Sequence, residues 1–74
     1  MVEFELEWDG NGPEGVDLPP FVEALALPPE GSVITWAAPD PEGDLKEFQA
    51  EVTAVELNIF EGHKGLYTVY VIPV

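Results

Sequence analysis

Lys46-Glu47-Phe48-Gln49-Ala50-Glu51-Val52-Thr53-Ala54-Val55-Glu56-Leu57-Asn58-Ile59-Phe60 alternates apolar and polar residues, but its phase changes midway. Phe48, Ala50, Val52 and Ala54 share one parity, whereas Val55, Leu57 and Ile59 take the other. A period of two marks a half-buried strand. A slip of one residue inside such a strand is what a β-bulge produces, and a bulge lets a sheet curl. The alternative is a strand with both faces partly buried. Glu61-Gly62-His63-Lys64-Gly65 then reads as a turn, and Leu66-Tyr67-Thr68-Val69-Tyr70-Val71-Ile72 as a strand that is apolar at nearly every position. The two runs predict a long antiparallel hairpin whose second arm is central in its sheet or covered on both sides. Pro73 ends the hydrogen bonding of that arm.

Toward the N-terminus the pattern is cleaner. Val2, Phe4, Leu6 and Trp8 fall on one face of a strand, and Glu3, Glu5 and Glu7 on the other. Asp9-Gly10-Asn11-Gly12-Pro13 breaks the strand with turn residues. Asp17 is a good N-cap, Pro19 and Pro20 suit a first helical turn, and Pro28 stops a helix near Ala26. A short helix is therefore expected over residues 19–26, with Phe21, Val22 and Leu25 against the sheet. Ser32–Ala38 is β-branched and aromatic and reads as another strand. Pro39-Asp40-Pro41-Glu42-Gly43-Asp44 is a polar loop. The expected fold is mainly β, α+β at the margin. It is a small curled antiparallel sheet or partly open barrel of about four strands and one short helix, in a single domain spanning 1–74.

Charge limits what such a domain does. The 74 residues hold fifteen Asp and Glu against two Lys and Arg, a net charge of −13, yet 46% of them are hydrophobic. The chain is apolar enough to fold, unlike an acidic disordered tail. A surface this negative repels nucleic acid and anionic membrane, so neither is an expected direct partner. The N-terminal stretch has no basic region and no apolar run, which points to a cytoplasmic protein. There is no Cys, one His, and one Ser without a histidine near it in sequence, so no catalytic residue, metal ligand set or cofactor is assigned. Asp40, Glu42 and Asp44 alternate as calcium ligands do, but the prolines and the missing terminal glutamate spoil the match.

What remains is recognition by charge. Carboxylates at alternate strand positions recur about every 6.7 Å, close to the spacing of successive phosphates along a nucleic-acid strand. Glu3, Glu5 and Glu7 form one such row, and Glu47, Glu51 and Glu56 extend it if the two strands share a face. Asp40, Glu42 and Asp44 assist from their loop, and Tyr70 is the aromatic candidate for a protein interface. Ordinary solvated strand faces also carry Glu, but typical surfaces mix both signs. The function expected is a non-enzymatic interaction module. It would mimic nucleic-acid charge and block the basic groove of a nucleic-acid-handling protein. By class analogy, phage-encoded inhibitors of host defence, anti-CRISPR proteins among them, work this way, and such an inhibitor would act in the host cytoplasm. The alternative is a structural or oligomeric module whose acidity serves solubility.

Overall fold

A computed structural model describes every residue except Pro41, Glu61 and His63, and for Lys64 the backbone alone. The turn histidine and the loop proline singled out above thus lie outside the described residues. Five strands follow one another: β1 (Val2–Trp8), β2 (Val22–Ala24), β3 (Val33–Pro39), β4 (Leu45–Phe60) and β5 (Lys64–Pro73). They form one sheet in the order β2-β1-β5-β4-β3, curled into a half-barrel.

The long hairpin is present. β4 and β5 pair antiparallel from Phe60↔Lys64 to Ala50↔Pro73, and β5 is the central strand of the sheet. The phase change is also present. The register shifts between Val52 and Ala54, so Thr53 is the extra residue of a bulge. Its hydroxyl donates to Asp9 Oδ2 at 2.9 Å and lies 3.2 Å from the Tyr70 carbonyl oxygen, joining the bend to the end of β1.

Two expectations are corrected. Among the described residues there is no helix over 19–26; residues 22–24 form a fifth strand, pairing antiparallel with the start of β1. The proline pairs at 19–20 and 28–29 leave too few residues to repay helix nucleation, while the edge of β1 offers ready backbone partners. Val22 and Ala24 pack on the core, but Phe21 and Leu25 are exposed. The sheet is also mixed rather than antiparallel, because β1 runs parallel to β5, from Phe4↔Tyr67 to Trp8↔Val71.

Side chains on the concave face make the core. Phe4, Leu6, Ala50, Val52, Val69 and Val71 are buried, and Leu18 and Leu27 pack over them from the loops. Trp8 of β1 and Trp36 of β3 meet with ring centroids 6.2 Å apart, although two strands separate them in the sheet. Such contact requires the sheet to curl toward this face, which leaves the opposite face convex. Trp36 also packs on Phe48, its cross-strand partner, at 5.8 Å.

The loop after β1 rests on this aromatic group. A Cβ placed on Gly12 would run into the Trp8 indole, so the glycine is required for close approach rather than for its backbone angles. Gly12→Ala is expected to lower the unfolding free energy by about 1–3 kcal/mol, as overpacking does. Chemical denaturation measures this, and an unchanged midpoint would mean that the loop is not seated on the indole.

Candidate partner-binding face

Register decides whether the glutamate rows share a face. Glu5 of β1 pairs with Thr68 of β5, and Thr68 pairs with Glu56 of β4. Glu51 pairs with Ile72, which has the parity of Thr68 and Tyr70. Glu3 lies directly opposite Glu23 of β2. Directly paired residues point to the same side of a sheet. Glu3, Glu5, Glu7, Glu23, Glu47, Glu51 and Glu56 therefore all stand on the convex face, and they are all the acidic residues that the five strands contain. Glu23 joins the row from the segment whose sequence also fits a helix, so no alternation marks it in the sequence.

The bulge makes this arrangement possible. Without the extra residue at Thr53, Glu56 would turn to the core side and Val55, Leu57 and Ile59 would turn among the carboxylates. With it, Glu5 and Glu56 flank Thr68 about 9.6 Å apart, twice the strand spacing. Thr68 is buried there and accepts a hydrogen bond from Asn58 Nδ2 at 3.1 Å.

Tyr70 stands in the middle of this face, in register with Glu7 on one side and Ala54 on the other. Partial desolvation, followed by the charges of Glu56, Glu7 and Asp9, pushes its phenol above the ordinary 10.0. An aromatic ring amid carboxylates offers a partner apolar contact together with charge.

The loop acids behave differently. Asp40 Oδ1 accepts hydrogen bonds from the amides of Glu42 at 3.0 Å and Asp44 at 2.9 Å, and its Oδ2 lies 3.1 Å from Lys46 Nζ. Desolvation opposes its ionisation, but the Lys46 contact and the two amides outweigh that and hold its pKa below 3.8. Its carboxylate thus organises the β3–β4 turn and is matched by a cation. Glu42 and Asp44 remain exposed. The oxygens of Asp40, Glu42 and Asp44 come within 4.8 Å of one another. With Asp40 committed to the turn, this grouping is accounted for by the loop's own hydrogen bonding.

An open cleft of about 750 Å³ lies at one end of the acidic face, lined by Glu3 and Glu23 together with Phe21, Phe60 and Tyr67 among others. Among the described residues no helix is long and apolar enough to cross a membrane. Comparison with protein-family models, curated proteins and solved structures finds no match for this chain.

Like charges directly across a strand pair are destabilising. Glu23→Lys is therefore expected to stabilise the fold by about 0.2–1 kcal/mol, read as a higher denaturation midpoint at low salt. Tyr70 supplies a second check. Raising its folded pKa leaves its contribution to stability intact below pH 10.0 and removes it as pH rises further. Ultraviolet titration of the folded protein should find a phenol that ionises above 10.0, and Glu56→Gln should bring it down.

Proposed function

We propose that this protein is a non-enzymatic interaction module that presents a nucleic-acid-like array of charge to a basic, nucleic-acid-handling protein and occupies its groove. The observation that carries the reading is the gathering of seven glutamates from three strands on one convex face, around Tyr70. A convex ridge is the shape a groove accepts. The Glu3, Glu5 and Glu7 carboxylates repeat about every 6.7 Å along their strand, close to the spacing of successive phosphates along a nucleic-acid strand. The like-charge pair Glu3–Glu23 costs stability, a cost that a merely solvated face has no need to bear. Complementary fields speed association with a basic partner and make it sensitive to salt.

By class analogy the role is that of a phage-type inhibitor of a host defence or transcription system, anti-CRISPR proteins included, acting in the host cytoplasm. The competing reading, a structural module that self-associates, makes the opposite forecast about salt.

Capture from lysate on the tagged full chain, followed by elution in rising salt, tests the proposal. The expected result is a nucleic-acid-binding protein that elutes as the Debye length falls below about 8 Å and that added DNA or RNA displaces. Glu3→Gln, Glu5→Gln and Glu7→Gln together should release it. A discrete oligomer that survives high salt, with no partner displaced by nucleic acid, would overturn the proposal in favour of the structural module.

A further inference from the structure

Beyond the bulge, β4 has a neighbour on one side alone. β3 pairs with Leu45–Glu51, and Gly31 and Ser32 reach Val52. Among the described strands only β3 and β5 lie against β4, so from Thr53 to Phe60 it is an edge.

The hydrogen-bond phase identifies the groups left over. The Asp9 amide donates to the Val71 carbonyl at 2.8 Å, so Val71 turns its backbone toward β1. Backbone groups alternate sides along a strand, so Thr68 and Tyr70 turn theirs toward β4. Their partners Glu56 and Ala54 close the ladder, and Val55, Leu57 and Ile59 turn N–H and C=O away from it. Among the described residues, no backbone hydrogen bond from a loop reaches these three. The same residues expose apolar side chains on the concave side, to 37%, 48% and 66%. Unpaired backbone and uncovered apolar surface thus coincide at Val55, Leu57 and Ile59. Sheet edges are commonly blunted by lysine, proline or short length. Thr53–Phe60 has neither Lys nor Pro, and Glu56 is its one charge.

We propose that this edge docks an extended basic segment of the partner protein, which adds a strand to β4. The segment alternates apolar residues with Lys or Arg. Its apolar row lies beside Leu57 and Ile59, and its cationic row emerges on the convex face beside Glu56. Charge complementarity selects this occupant over a second copy of the chain. Antiparallel self-pairing sets Glu56 directly against its own counterpart when centred on Glu56 and diagonally to it when centred on Leu57, and each copy brings a net charge of −13. Backbone hydrogen bonds supply affinity in such strand addition, and alternate side chains supply specificity. The inference rests on the proposed function in one respect, that the partner is basic.

The probe is a capped seven-residue peptide alternating valine and lysine, with a control N-methylated at alternate residues so that one of its edges cannot hydrogen-bond. The expected result on the full chain is a shift of the Val55, Leu57 and Ile59 amides, with their hydrogen exchange slowed at least about tenfold at saturation. The methylated peptide should bind at least about tenfold more weakly, as should the unmethylated peptide to Leu57→Thr/Ile59→Thr, whose altered side chains are solvent-exposed. Equal binding of both peptides, with shifts confined to Glu3, Glu5, Glu7 and their neighbours, would overturn strand addition while leaving charge recognition standing. Protection of the edge that grows with protein concentration and needs no peptide would assign it to a second copy and overturn the inference. Absence of any shift would also overturn it, and the salt-labile capture would still judge the acidic face independently.

Discussion

One extra residue at Thr53 governs which side of β4 meets the core. A strand of sixteen residues in which the apolar parity switches halfway cannot stay flat and keep its apolar side chains together. The bulge absorbs the switch, returning Val55, Leu57 and Ile59 to the side of Ala50 and Val52 and Glu56 to the side of Glu47 and Glu51. It adds local twist where the sheet must curl for Trp8 and Trp36 to meet. Its hydroxyl holds Asp9, the first residue past β1, so the bend and the turn of the chain out of the sheet are secured at one point. Core, curl and acidic face all follow from this one irregularity.

The molecule balances a small core against its own field. Among the described residues six apolar side chains and Thr68 are buried, and none is larger than phenylalanine. The glutamates repel one another across β2 and β1 and around Tyr70. The described cation, Lys46, goes to Asp40 and the β3–β4 turn rather than to the glutamate rows. The Lys46–Asp40 ion pair therefore strengthens a loop, while the repulsion is borne by the glutamates of the convex face.

Local pattern carried much of this structure. Strict alternation over Val2–Trp8 and the parity switch in Lys46–Phe60 were readable because strand faces repeat every second residue and a bulge is the simplest way to skip one. The near-continuous apolar run at Leu66–Ile72 pointed to a central strand, and β5 is one. The segment between the proline pairs misled, since Phe21, Val22 and Leu25 fit a helical face as well as Val22, Glu23 and Ala24 fit an edge strand. What decided it was the open edge of β1, a tertiary fact that no local window contains. The parallel pairing of β1 with β5 was hidden for the same reason. Glu3, Glu5 and Glu7 were legible as a row, as were the glutamates of β4. Their sharing a face depends on β5 lying between them.

That placement of β5 has a consequence for how the protein is made. Phe4 finds its partner in Tyr67, so the first of the five strands is completed by the fifth. Such distant pairing must meet its loop-closure entropy before any contact repays it, which makes for slow folding. Until β5 is made, β1 and its three glutamates have no central strand to join, and the β3–β4 hairpin must form apart from them. Assembly of the sheet is therefore a collective event that waits on β5. A chain halted before residue 64 would hold two acidic fragments but no shared acidic face, so the gathering of the seven glutamates waits on β5.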